Sequence, residues 1–225
     1  MGELIADWHV SIGSMNTDGL FDEGDAFFWS FRGAPQWLQF LDLVDNPLHK
    51  TLAGSIFEKF LKDIQPDLEK LPKLLVHHDI RDANIFVEKS HSDKCSYKIT
   101  GLIDFGDAHM AAAICDIAVS AAHTMIGDNL KVDPLDVSRL LLQGYTKHRL
   151  LSERELAMLP YLISTRIAML PVAAIQTVEQ DVKDGTDTPQ KTAYVLDTAK
   201  GSWEMLAKIW KDNDINEVFK NAVRK

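Results

Sequence analysis

Cysteine, positive charge and long unbroken apolar runs are what this chain has least of. Only Cys95 and Cys115 occur in 225 residues. Their spacing fits neither a C-x-x-C pair nor a metal-ligand pattern. Two cysteines in so long a chain do not make a disulfide framework, so a reducing compartment, the cytoplasm, is expected. No basic-then-apolar segment of the kind that opens a secretory leader stands at the start. Lysine and arginine total 24 against 33 aspartates and glutamates, for a net charge of −9. That deficit excludes a general nucleic-acid binder, which needs a basic face. It suits a small cationic partner instead. The acid is gathered early: Glu3, Asp7, Asp18, Asp22, Glu23, Asp25, Asp42 and Asp45 stand against Arg32 alone in the first 49 residues. A solvated acidic surface explains this most simply, and attraction of a cationic substrate is the alternative. The most apolar stretch, 156–175, is broken by Pro160, Ser164, Thr165, Arg166 and Pro171. A buried helix pair is therefore expected there, not a membrane span.

What is present is ordinary globular material. Hydrophobic residues make up 46% and charged residues 25%, enough for one folded unit over 1–225 with its own core. Residues 13–26 carry Gly13, Asn16, Asp18, Gly19, Gly24 and Asp25 and read as a loop. Residues 27–44 are aromatic-rich, with Trp37, Phe40, Leu41 and Val44 at helical spacing. Leu52, Ile56, Phe60 and Ile64 predict an amphipathic helix over 51–65, with Pro66 as its stop. Segments 74–76, 85–87 and 98–103 read as short strands, with a polar loop over 88–97. Beyond residue 109 the pattern is mainly helical, including the small apolar run 111–122. Ser152 and Glu155 form a capping box flanked by Leu151 and Leu156. Thr188-Pro189 starts a last helix, whose Val195, Leu196, Trp203, Leu206 and Ile209 point to a core. The expected fold class is α+β, mostly helical.

The chemistry is concentrated in two runs. Val76-His77-His78-Asp79-Ile80-Arg81-Asp82-Ala83-Asn84 precedes one predicted strand, and Gly101-Leu102-Ile103-Asp104-Phe105-Gly106-Asp107 closes another. If 85–87 and 98–103 pair antiparallel, the open end of the hairpin sets Asn84 beside Asp104. Asp79 stands on the same loop. An amide oxygen and a carboxylate suit Mg²⁺, which is held by one or two carboxylates together with substrate phosphates and water. The order is that of a kinase-type phosphotransferase, H-x-D-x-x-x-x-N followed by D-F-G. On that pattern Asp79 accepts or orients the proton of an attacking hydroxyl, and Asn84 and Asp104 hold Mg²⁺ against the phosphates. Arg81 steadies charge on the transferring phosphoryl group, or simply pairs with a nearby acid. No A-P-E segment follows Asp104, which argues against a protein kinase. His77 reads as a loop residue bonded to backbone near Asp104. Adjacent His77 and His78 have no third ligand at zinc spacing. Asp107 and His109 either face substrate or support the next element. Cys115 reads as a small buried hydrophobe.

These motifs, with Ala108-His109, the small-residue run that follows, Gly144-Tyr145 and the helices over 152–176, resemble the aminoglycoside phosphotransferase-like family of small-molecule kinases. The resemblance implies a protein-kinase-like C-terminal lobe in which a short β-hairpin carries the catalytic and metal-binding loops. It implies Asp79 as the catalytic aspartate and Asn84 and Asp104 as the metal ligands. It also implies Asp116 as an acid on the following helix, bonded back to the catalytic loop. The cofactors it implies are Mg²⁺ and GTP or ATP as phosphate donor. The acceptor it implies is a small cationic amino alcohol, 5-hydroxylysine first, with choline, ethanolamine, homoserine or an aminoglycoside as alternatives. His78 stands where members commonly have glycine. Kinases of this type grip nucleotide with an N-terminal lobe that carries a glycine-rich loop and a lysine. This chain has no G-x-G-x-x-G and no lysine before Lys50. The nucleotide lobe is therefore expected to be missing from these residues, and a non-catalytic binding or regulatory fragment is the competing reading.

Overall fold

The computed structural model describes residues 1–16, 28–89, 97–126 and 132–212. Asp18, Asp22, Glu23, Asp25, Phe27 and Cys95 fall outside the described residues, as do most of the loops expected at 13–26 and 88–97. In chain order the elements are α1 (Gly2–Gly13), α2 (Ala34–Trp37), α3 (Pro47–Lys59), α4 (Gln65–Leu68), β1 (Lys73–Val76), β2 (Ile85–Lys89), β3 (Tyr97–Leu102), β4 (His109–Ala112), α5 (Ile114–Met125), α6 (Pro134–Thr146), α7 (Glu153–Asp184) and α8 (Pro189–Asp212).

The helices make the core and the strands present the loops. α5 is buried along almost its whole length, from Ile114 to Ala122. Its Ala118, Ala121 and Ala122 are small enough for α6 and α7 to pack close against it. α1 approaches α6 at backbone distance. A Cβ on Gly2 would stand 1.9 Å from the Leu141 carbonyl oxygen, and one on Gly144 would stand 3.2 Å from the Glu3 nitrogen. Only glycine allows that approach at residue 2, and it is what brings His9 of α1 to Tyr145 of α6.

α3 begins earlier than its apolar spacing suggests. The Asn46 side-chain oxygen accepts from the N–H groups of Leu48 and His49, and Pro47 fills the first turn. Pro66 does not stop the helix. A π-helical turn over Phe60–Ile64 intervenes, and Pro66 then sits in the first turn of α4, where its missing N–H is no loss. Ile56, Phe60 and Ile64 are buried.

The stretch 156–175 is not a helix pair. It lies within α7, a single helix of 32 residues that runs through Pro160 and Pro171. An interior proline costs about 3 kcal/mol. Each fully buried aliphatic side chain contributes about 1.5–3 kcal/mol. Leu159, Leu162, Ile163, Ile167 and Val172 are all fully buried, so packing outweighs the two breaks. α7 is long and apolar enough to cross a membrane, but 83% of its most apolar window is enclosed by the chain itself. Its start carries the capping box: Ser152 Oγ accepts from the Glu155 N–H, and the Glu155 carboxylate accepts from the Ser152 N–H at 2.8 Å. In α8, Leu206 and Ile209 reach the core, whereas Leu196 is 43% exposed and faces out.

The sheet is two antiparallel pairs. β2 pairs with β3, Ile85 opposite Leu102, with an irregularity between Phe86 and Val87. β1 pairs with β4, Val76 opposite His109. The sequence pattern predicts helix at residues 111 and 112, but both belong to β4, because the β1 edge offers partners that no local pattern reveals.

Candidate active site

Ile103 N–H donates to the Asn84 carbonyl at 3.0 Å, closing the open end of the β2–β3 hairpin. Asn84 and Asp104 therefore stand at the same end of it. Asn84 ends a short 3-10 turn and is 5% exposed. Its Nδ2 donates to Asp79 Oδ2 at 2.7 Å and to the Asp79 carbonyl at 2.9 Å. The donor end of the amide is thus committed, and its oxygen is left as an acceptor. Asp104 sits at φ 67, in the left-handed region. Its side chain is exposed, and among the described residues nothing donates to its carboxylate.

An amide oxygen beside an open carboxylate is a donor set for a hard cation that keeps water and takes further oxygens from phosphates. Among the described residues no group of three or more histidines, cysteines or acids forms a ready-made metal cage. Any cation held here would need a phosphate-bearing ligand to complete its shell.

The two oxygens of Asp79 have different surroundings. Oδ2 is held by Asn84 Nδ2 and by Arg81 Nε at 3.2 Å. Oδ1 lies 3.8 Å from His123 Nε2 and 3.9 Å from Arg166 Nη2. Those separations exceed hydrogen-bond range, so Oδ1 keeps a lone pair for an incoming donor. The side chain is 14% exposed, enough for a small molecule to reach it from one side.

The loop that carries Asp79 is anchored from beneath by Asp116, which is fully buried near the start of α5. Its Oδ2 accepts from the His77 N–H at 3.0 Å, and its Oδ1 from the His78 N–H at 2.6 Å. Two successive N–H groups meet one carboxylate only if the backbone turns sharply, and His78 takes φ 64 to do so. A non-glycine residue there costs about 1–2 kcal/mol. The ring offsets this by burial and by donating from Nε2 to the Trp29 carbonyl at 3.2 Å. His9 Nε2 also donates to Asp116, at 2.9 Å. Its Nδ1 lies 2.9 Å from the Tyr145 hydroxyl, which accepts from Arg149 Nη1 at 2.6 Å. The Tyr145 hydroxyl thus links His9 to Arg149. Burial pushes the Tyr145 hydroxyl up to about 12. A further tie, from Ser120 Oγ to the Ile80 carbonyl at 2.6 Å, pins the loop to α5.

His77 Nε2 donates to the Ile103 carbonyl at 3.0 Å, and its Nδ1 accepts from the Asp79 N–H at 3.3 Å. The ring therefore links the two loops of the site and packs on Phe105. Asp107 is half-buried, and its carboxyl is raised by burial and then by the charge of Asp79. His109 is 7% exposed, lies edge-on to the His78 ring and donates from Nδ1 to the Asp107 carbonyl at 2.9 Å. Cys115 is buried, and burial pushes its thiol up and makes it inert.

Three residues around the aspartate loop lie outside the motifs: His123 and Arg166 near Asp79 itself, and Trp29 against His78 and Arg166. Arg166 has a visible signal in the sequence, a lone charge inside the most apolar stretch. Such a residue is rarely buried without a partner. His123 and Trp29 have none, because they meet the site only through tertiary packing.

Burial lowers the pKa of His78, His109 and His123, with the charge of Arg166 adding to the effect on His78 and His123. The unfolded chain takes up these protons as pH falls through about 6.5, while the folded chain does not. Stability is therefore lost as pH falls below that value. Asp107, raised by burial, works in the opposite direction, but it is a single group. The thermal midpoint is expected to drop between about pH 7 and pH 5, and His123→Gln to flatten part of the drop. A midpoint unchanged across that window would contradict this.

Together the helical core, the paired hairpin ends and the anchored aspartate loop define the helical lobe of a kinase-like phosphotransferase. The sequence pattern of the phosphotransferase enzyme family (APH) matches residues 1–151, and the chain belongs to that family. It is 27% identical to the hydroxylysine kinase of Danio rerio over 187 residues, covering 83% of this chain and 49% of that protein. The solved microcompartment-associated aminopropanol kinase superposes with a TM-score of 0.66 at 19% identity, covering 95% of this chain and 62% of that one. An amicoumacin kinase solved in complex with AMP-PNP and Ca²⁺ gives a TM-score of 0.57 at 16% identity, covering 92% of this chain and 57% of that one. The chain spans about half the length of the curated relatives it matches.

Proposed function

We propose that this chain supplies the catalytic, acceptor-side half of a small-molecule kinase. The kinase moves the γ-phosphate of GTP or ATP to the side-chain hydroxyl of 5-hydroxylysine or a related cationic amino alcohol. The observation that carries the reading is the single array of Asp79, Asn84 and Asp104. One amide bonds the aspartate at 2.7 Å and is backed by the residue next to Asp104.

On this reading Asn84 and Asp104 hold Mg²⁺. The ion, when bound, neutralises phosphate charge. Asp79 Oδ1 receives the hydroxyl proton of the acceptor and aims its oxygen at the γ-phosphorus. Asn84 and Arg81 keep Asp79 Oδ2 from rotating into that role. Phosphoryl transfer depends mainly on positioning and charge, so a fixed carboxylate is the main protein contribution. The similarity to a hydroxylysine kinase and to an aminopropanol kinase supports an amine-bearing acceptor. The surplus of acid, net −9, favours one as well.

The test is incubation with Mg²⁺, GTP or ATP, and 5-hydroxylysine, followed by detection of phosphohydroxylysine. It is run on the chain alone and on the chain fused to the unmatched part of the Danio rerio relative. Transfer that EDTA abolishes is expected in at least the fused form. No transfer by either form to any amino alcohol would favour a non-catalytic role and sink the proposal.

A further inference from the structure

Arg166 has no part in the proposal so far, yet it is placed where a spectator would not be. It comes from the middle of α7, is 3% exposed, and reaches the back of the aspartate loop. Burial pulls its pKa down to about 10, and the charges of Asp79 and Asp107 work against that fall. A buried guanidinium is costly unless it is paired. Its two terminal nitrogens point to two parts of the chain. Nη1 donates to the Trp29 carbonyl at 3.0 Å, and Nη2 stands 3.9 Å from Asp79 Oδ1. The guanidinium also lies over the Trp29 ring, 5.1 Å from its centre.

The Trp29 carbonyl is a junction. It accepts from Arg166 and from His78 Nε2, the residue just before Asp79. The strap around it is itself fixed, since Trp37 Nε1 donates to the Phe28 carbonyl at 3.0 Å and the Trp29 and Trp37 rings lie 5.3 Å apart. The fork lets one nitrogen donate to the carbonyl while the other stays within ion-pair distance of the carboxylate. A single ammonium nitrogen is not shaped to span both.

We infer that Arg166 is a positioning residue: it hydrogen-bonds the Trp29 carbonyl that also holds His78, and so places the aspartate loop against the strap, with its own charge 3.9 Å from Asp79 Oδ1. This rests on the phosphotransfer reading for its consequence, but not for its geometry. The strap 28–30 and the loop 77–81 therefore behave as one unit.

The test compares the full chain with Arg166→Lys and Arg166→Met. Amide hydrogen exchange needs no catalysis. Exchange at 28–30 and 77–81 is expected to speed up together, by about tenfold or more in both variants, while α6 keeps its rates. Unchanged exchange at those two segments overturns the inference. So does a uniform rise across the chain, which would mark a merely structural loss. Either exchange result stands even if phosphotransfer is never detected, so failure here is distinct from failure of the proposed function. Where transfer is measured, kcat is expected to fall on the order of 100-fold, with acceptor KM within about threefold. A lysine variant that restores both kcat and slow exchange would reduce Arg166 to a buried charge and overturn the inference. If the methionine variant does not fold, the lysine variant carries both readouts.

Discussion

Asp116→Ala is expected to destabilise the chain by about 3–5 kcal/mol, the range for stripping one partner from a buried charged network. The reason is the number of donors it satisfies. The backbone N–H groups of His77 and His78 and the Nε2–H of His9 all end on this one carboxylate, which has no exposed surface. Alanine leaves each of them buried without an acceptor, and each such loss costs about 1–3 kcal/mol. It also removes the reason for His78 to hold φ 64, so the loop carrying Asp79 relaxes. Asp116→Asn keeps one acceptor oxygen and is expected to cost less. Denaturant unfolding of the two variants checks this. A loss below about 1 kcal/mol for the alanine variant would mean that Asp116 does not anchor the loop.

The second large effect is on chemistry and not on stability. Asp79→Asn is expected to lower phosphotransfer by about 10²–10⁴-fold, the usual contribution of a positioned acid or base. The two oxygens of Asp79 are already divided between tasks. Oδ2 is occupied by Asn84 and Arg81, whereas Oδ1 has donors only at 3.8 and 3.9 Å. An amide in its place keeps the shape but presents either an N–H or a weak acceptor to the incoming hydroxyl. Folding is expected to change little, because the side chain is partly exposed and its neighbours are held by other bonds as well. Single-turnover transfer with labelled nucleotide measures the step directly. A variant within about tenfold of the parent would remove Asp79 from the reaction.

Much of the site is legible in the sequence because its logic is local. The H-x-D-x-x-x-x-N and D-F-G runs each flank a strand, and antiparallel pairing alone brings Asn84 and Asp104 to one end. Residues whose place depends on distant partners are not legible in the same way. β4 exists because residues 109–112 find the β1 edge, more than thirty positions earlier in the chain. α7 survives two prolines because its apolar face is buried, a tertiary effect that overrides propensity. Pro66 fails to end a helix because a π-helical turn intervenes before it. The His9 bond to Asp116 depends on the close approach of α1 to α6 at Gly2, which no spacing rule detects. Arg166 lies between these cases. Its burial is signalled by the apolar run around it, but its partners are not.

The proposed function turns on the hairpin end formed by Asn84 and Asp104 being the place where a divalent cation meets nucleotide phosphate. Mn²⁺ stands in for Mg²⁺ and broadens the resonances of nearby nuclei, so a titration with Mn²⁺ and ATP followed residue by residue reads the position directly. The Asn84 side-chain amide and the backbone amides of Asn84, Asp104 and Phe105 are expected to broaden first, and Asp104→Asn to abolish the effect. Broadening that starts on the acidic residues near the start of the chain, and leaves residues 84 and 104 sharp, would contradict it.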